Sequence, residues 1–155
     1  MIRVMGIDPG TTGGCAAIIA DAGETLLVKF VHFAGKTDTE IVRELTGAIG
    51  VWPYDKVVCE RVGVRPGQGR SSNAKLVCNH AAVLACLATL NIDVEHVEAQ
   101  KWRKFYALGP QEKYTARKKA NWKRALEFVD NITADEADAY LIARRAWAHE
   151  KTKGV

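Results

Sequence analysis

The chain has 155 residues and a mass of 17.0 kDa, with 48% hydrophobic and 26% charged residues. That suits one soluble domain, able to bury roughly 70% of the surface its unfolded chain exposes. The net charge of +4 is too small by itself to mark a polyanion binder, and nothing approaches the ~20 apolar residues of a membrane span. The four cysteines, Cys15, Cys59, Cys78 and Cys86, form no C-x-x-C pair. They read as buried free thiols of an intracellular, cytoplasmic protein rather than as disulfides or zinc ligands. Asp8 and the glycines cut off the apolar run after Arg3, so no signal peptide is expected.

Ile2 to Ile7 reads as a short buried strand and Cys15 to Ala20 as a second, across a Gly/Thr turn. After a turn over 21–24, Thr25 to Phe33 makes a third, and short turns imply an antiparallel meander. Thr37 to Val51 has helical spacing, with Ile41, Val42, Leu45 and Ile49 on one face and Thr37 or Thr39 as cap. Lys56 to Glu60 is a short apolar strand, followed by a loop over 61–72 with three glycines and a proline. A small-residue helix from about Asn73 to Leu90 leads to a fifth strand, Ile92 to Val97. The following basic segment reads as loop and then helix, starting near Pro110 or Gln111. A last helix runs from Ala134 to about His149. The order predicts an α/β domain with a mixed five-stranded sheet, three antiparallel strands followed by crossover-linked ones.

Two acids are oddly placed. Asp8 and Glu60 each end an apolar strand and precede a glycine-rich loop, where a carboxylate is costly unless paired or bound to a cation. Acids at neighbouring strand ends can converge, although Asp8 can equally cap its own turn through Pro9 and Gly10. Ahead of the last helix, Thr133 and Glu136 have capping-box spacing. Asp135 and Asp138, three apart, share one helical face, the one expected on the sheet. Alanines 134, 137, 139 and 143 would let this helix sit close to the strands. Four converging carboxylates repel one another, and a hard divalent cation relieves that: magnesium, with manganese able to substitute. Two such ions can activate water and stabilise a leaving oxygen in phosphodiester cleavage.

From Lys101 to Arg124 nine residues are basic and only Glu112 is acidic. This is either a solvated helix face or a grip on phosphates. The candidate DNA contacts are Arg65, Arg70, Lys75, Lys101, Arg103, Arg117 and Lys118, with Lys123 and Arg124 behind the last two. Trp102, Phe105, Tyr106, Tyr114 and Trp122 interleave with this run, as base-stacking residues or as anchors to the core. His32, His80, His96 and His149 show no ligand spacing and are assigned no catalytic role.

Gly6-Ile7-Asp8-Pro9-Gly10 with Gly13, Cys59-Glu60-Arg61-Val62, the helix from Asn73, Gln100, Leu108-Gly109 through Lys113, and Asp135-Glu136-Ala137-Asp138-Ala139 follow one another along the chain. In order and spacing this pattern resembles the RuvC family of Holliday-junction resolvases, within the RNase H-like nuclease superfamily. The resemblance implies one RNase H-like domain over residues 1–155. It also implies a catalytic tetrad of Asp8, Glu60, Asp135 and Asp138 holding two magnesium ions, and cleavage leaving 5′-phosphate and 3′-hydroxyl ends. Lys113 falls where the family keeps a basic residue near the scissile phosphate, or is simply an exposed lysine at a helix start. The family acts as a homodimer on four-way DNA. The helix from Asn73 offers a small apolar face (Ala81, Ala82, Leu84, Ala85, Ala88) that is either the dimer surface or core. Gly63 stands where cellular bacterial members commonly carry an aromatic wedge, which weakens the expectation of tight sequence preference. Small size and this loop are similar to phage-encoded relatives, placing the protein in a bacterial cell or phage-infected host.

Other readings are an RNase H-like nuclease acting mainly on flaps, other branched DNA or RNA–DNA hybrids, and a non-catalytic branched-DNA-binding protein. The opening also resembles the first phosphate loop of actin-like kinases and chaperone ATPases, but 155 residues leave no room for the duplicated domain that reading needs.

Overall fold

A computed structural model describes residues 1–10, 14–21, 26–50, 53–63, 67, 69–110 and 113–153. The elements in order are β1 (Ile2–Asp8), β2 (Cys15–Asp21), β3 (Leu26–His32), α1 (Asp38–Ile49), β4 (Lys56–Glu60), α2 (Arg70–Thr89), β5 (Glu95–Val97), α3 (Ala99–Phe105), α4 (Tyr114–Leu126) and α5 (Ala134–Lys153). The turn residues 11–13, Thr25, Val51, Arg65 and most of the 64–68 loop, and Gln111 lie outside the described residues.

The five strands form the expected mixed sheet, in the order β3-β2-β1-β4-β5. β1–β2 and β2–β3 are antiparallel; β1–β4 and β4–β5 are parallel. Period-two alternation sorts the side chains between two cores. Met5, Ile7, Val57 and Cys59 pack with Ile41, Leu45, Val83 and Leu87 of α1 and α2. Val4 and Val58 pack on the other face with Trp102 and with Tyr140, Leu141 and Ile142 of α5. Asp8 and Glu60 continue the second set, so they leave adjacent strand ends on the α5 face.

The fit between α5 and β1 is set by Gly6. A Cβ there would lie 2.2 Å from the Ala143 nitrogen and 2.5 Å from the Ala139 oxygen. α5 therefore rests backbone to backbone on the central strand, with Ala137, Ala139 and Ala143 fully buried. Thr37 caps α1 with a Glu40 capping box. The Thr133–Glu136 box is also formed: the Thr133 N–H donates to Glu136 Oε2 at 2.8 Å, and the Glu136 N–H returns to Thr133 Oγ1 at 3.3 Å.

Four expectations need correction. The basic segment begins with a helix, α3, not a loop. Its seven residues are too few for a readable period, and Trp102 and Arg103, buried at its centre, hold it in place. β5 is only three residues long, because Ile92 and Val94 pack half-buried against the α1/α2 core instead of pairing. α5 continues to Lys153, where nothing breaks its helical sequence. All four cysteines are free, but Cys78 is exposed on α2, outside the buried stripe of Asn79, Val83, Cys86 and Leu87. No helix of the described residues is long and apolar enough to cross a membrane.

Candidate active site: three acids around one lysine

A cleft of about 360 Å³ opens where β1 and β4 end under α4 and α5. Asp8, Glu60 and Asp138 line it with Lys118, Arg103, Arg117, Asn121 and Trp102. Register explains the first two. Ile7 and Cys59 are paired across β1 and β4, and the next residue of each strand projects to the opposite face. Asp138 arrives from the second turn of α5, which Gly6 allows to lie against β1.

Each carboxylate is held by fixed donors. The Gly10 N–H donates to Asp8 Oδ1 at 3.0 Å, so the turn-capping interaction exists alongside the convergence. Trp102 Nε1 donates to Glu60 Oε2 at 2.8 Å. Asn121 Nδ2 donates to Asp138 Oδ1 at 2.7 Å, and Arg103 fixes that amide through its Oδ1 at 2.6 Å. Arg103 also donates to the Gly109 carbonyl at 2.9 Å. Lys118 Nζ stands between two acids, 2.8 Å from Asp138 Oδ2 and 3.6 Å from Asp8 Oδ2.

Lys118 is the one of the lining cations that meets these carboxylates directly among the described residues, and it does not offset their burial and mutual repulsion. Burial, then the Asp138 charge, pushes the Asp8 carboxyl up to about 6 against the pull of Lys118 and the Gly10 amide. Burial and the Asp8 charge push Glu60 up to about 7, with the Trp102 hydrogen bond opposing. Burial disfavours the Lys118 ammonium, yet Asp138 and Asp8 together hold it well above the usual lysine range. Three crowded, largely buried carboxylates at adjacent strand ends offer all-oxygen donors, and their mutual repulsion is what a hard divalent cation relieves. Asp8, Glu60 and Asp138 fit that group. Among the described residues their oxygens are not gathered into one ion's shell: Lys118 stands between those of Asp8 and Asp138, and Glu60 is held by Trp102.

The remaining candidates are placed differently. Asp135 is exposed one turn before Asp138 and does not line the cleft. Lys113 is exposed at the N-cap of α4, also outside the cleft lining. Lys118 turns inward to the acids, where α4 was expected to present it to DNA. Arg103 lines the cleft but is only 7% exposed and mainly bridges Asn121 and Gly109. Arg117 lines the cleft with its guanidinium 5.3 Å from the Tyr114 ring centre. Arg70, Lys75 and Lys101 are exposed, the Lys75 ammonium donating to the Lys36 carbonyl at 3.2 Å. Arg65 lies outside the described residues. Trp102 and Tyr106 are core and Trp122 is bonded to the Ile132 carbonyl, while Phe105 and Tyr114 are exposed. Asn121, which orients Asp138, carried no signal in the sequence; only the packing of α4 on α5 reveals it.

Lys118→Met removes the ammonium that bridges Asp8 and Asp138. Breaking a buried pair from one side costs about 3 kcal/mol or more, so the melting temperature in EDTA should fall clearly. An unchanged value would mean that the acids do not depend on this ammonium.

No protein-family model matches the chain, and no curated protein sequence does either. Solved structures do match. A Thermus thermophilus RuvC structure is similar with a TM-score of 0.67 at 17% identity, over 98% of this chain and 97% of that one. T. thermophilus RuvC in complex with Holliday junction substrate gives 0.66 at 17% identity, over 98% and 96%. The fowlpox virus Holliday junction resolvase gives 0.57 at 12% identity, over 96% and 99%. The chain has the RuvC fold. Within that RNase H-like architecture, the cleft lies at the ends of two adjacent parallel strands, β1 and β4, where ligands of open α/β sheets are expected.

Proposed function

We propose that this chain is a structure-specific endonuclease that resolves four-way DNA junctions by divalent-metal-dependent hydrolysis. The observation carrying the reading is the meeting of Asp8, Glu60 and Asp138, from β1, β4 and α5, in one cleft of a RuvC fold. Two magnesium ions, or manganese, would activate the attacking water and stabilise the leaving oxygen, giving 5′-phosphate and 3′-hydroxyl ends. Asp8, Glu60 and Asp138 would hold them, with Asp135 as the fourth acid from the exposed first turn of α5. Lys118, which bridges Asp8 and Asp138, would be the cation nearest a phosphate bound over these acids. Arg117 and the exposed Arg70, Lys75 and Lys101, together with Arg65, would grip the DNA backbone, and Lys113 would sit beside the scissile phosphate. The whole chain acts as one nuclease domain in the cytoplasm of a bacterial cell or phage-infected host.

The decisive comparison offers the protein a labelled four-way junction, linear duplex, flap and RNA–DNA hybrid, with magnesium or EDTA. Paired, symmetric nicks in the junction that require magnesium are expected. Preference for flap or hybrid would move the substrate and keep the site. Tight junction binding without nicks in any metal would sink the enzymatic reading.

Symmetric nicking requires two active sites, and α2 supplies a surface for a second copy. Val77 is 46% exposed, and Ala81, Ala85 and Ala88 are exposed beside it, while the helix buries Val83, Cys86 and Leu87 on its other side. Ala85→Glu should yield monomers by light scattering and uncoupled single nicks. A dimer that survives this change would place the interface elsewhere.

A further inference from the structure

On the opposite face of the sheet from the acid cleft, three elements bring together a different set of ligands. Cys59 of β4 and His96 of β5 are directly paired across parallel strands, so both side chains project to the same face, and His80 of α2 stands over them. One ligand atom from each, the Cys59 sulfur and a nitrogen of each imidazole, lies within 4.8 Å of the other two. The imidazole rings are 5.7 Å apart, edge to face.

We propose that Cys59, His80 and His96 form a binding site for a borderline-soft divalent cation, zinc in the first instance, distinct from the acid cleft and independent of the nuclease reading. One thiolate and two imidazoles are the donors zinc takes and magnesium refuses. A tetrahedral zinc ion needs its ligand atoms roughly 3.5 Å apart, so closure by about 1 Å, within reach of small side-chain rotations, completes three positions and leaves the fourth for water. His80 Nε2 is buried without a hydrogen-bond partner among the described residues, an orphan that a metal bond would satisfy. On the same turn of α2, Asn79 is 1% exposed with neither amide atom partnered among them. Burial and the neighbouring His96 favour the neutral, metal-binding form of His80. Cys59 is fully buried in the α1/α2 core, and among the described residues its thiol donates to the Glu60 carbonyl at 3.5 Å. On binding, its proton leaves to solvent and the sulfur–metal bond replaces the S–H bond.

The ion would clip α2 to the ends of β4 and β5. That matters because β5 is a three-residue edge strand, and β4 ends in Glu60, the next residue after Cys59. Loading this face would stiffen the strand end that aims Glu60 into the cleft.

Cobalt(II) is the probe, because a cobalt–thiolate bond gives a near-ultraviolet charge-transfer band. Metal-stripped protein should develop this band to one cobalt per chain, and zinc should abolish it by displacement. The band should vanish in His80→Asn and in His96→Asn, and persist in Asp8→Asn and Cys78→Ser. Zinc should also raise the melting temperature of the wild-type chain and not that of His96→Asn. Cys59→Ser should lose the band too, but that residue is core; the two histidine variants decide the matter if it fails to fold. No band in the wild-type chain, or one that survives both histidine changes and disappears with Cys78, would overturn the site.

Discussion

Asp8→Asn is expected to lose DNA cleavage by on the order of a thousandfold, the several kcal/mol that a metal ion contributes to a transition state, while junction binding stays within a few-fold. The same change should stabilise the metal-free protein. Asparagine keeps an oxygen for the Gly10 N–H and removes one of three buried negative charges. Burial and then the Asp138 charge push the Asp8 carboxyl up to about 6 in the folded chain, so its ionised form opposes folding by on the order of 3 kcal/mol at neutral pH. The sign follows from linkage. Between the unfolded value near 4 and the folded one near 6, the native state binds more protons than the unfolded chain. Metal-free stability therefore declines as pH rises through that window. Glu60, raised to about 7, extends the decline, and Asp8→Asn should flatten it. Thermal melts in EDTA from pH 4 to 8 read this directly. Equal loss of cleavage and binding, or an Asp8→Asn protein less stable than wild type at pH 7, would make Asp8 a structural cap and remove it from the metal site.

The second large effect is structural. Gly6→Ala inserts a methyl group 2.2 Å from the Ala143 nitrogen and 2.5 Å from the Ala139 oxygen, both backbone atoms of a buried helix that cannot rotate away. Relief requires lifting α5 from β1, which carries Asp138 away from Asp8 and opens the core around Tyr140 and Leu141. Overpacking commonly costs 1–3 kcal/mol, and a backbone clash belongs at or beyond the top of that range. For a chain of this length that is a fall of roughly 10 °C in melting temperature, with cleavage reduced in the protein that remains folded. Gly47, inside α1 with nothing within 4 Å of its would-be Cβ, is the control. Gly47→Ala should stabilise by about 0.5–1 kcal/mol. A Gly6→Ala protein melting with wild type would show that α5 does not rest on the strand at this point.

The sequence by itself determined the sheet and two of its acids. Period-two apolar runs with short turns dictate β1 to β3, and a carboxylate closing an apolar strand is conspicuous wherever it occurs, so Asp8 and Glu60 stood out. Thr133 with Glu136 marked the start of α5 through local hydrogen bonds between residues three apart. The alanines of α5 signalled close packing without saying what touched what, and the part played by Gly6 showed only in the structure. The tertiary structure decided the rest, because the remaining interactions join residues remote in the chain. Asp135 and Asp138 share a helical face by spacing, yet only Asp138 enters the cleft; the lie of α5 across β1 sets which acid is aimed, and sequence carries no such angle. Lys118 looked like one more cation of a basic helix until α4 docked on α5 and turned it between Asp138 and Asp8. Trp102 and Asn121 became carboxylate holders across separations of 42 and 17 residues, and Cys59, His80 and His96 met across three elements with no spacing to announce them. Local chemistry is written along the chain, whereas the convergence of side chains from different elements is a property of packing.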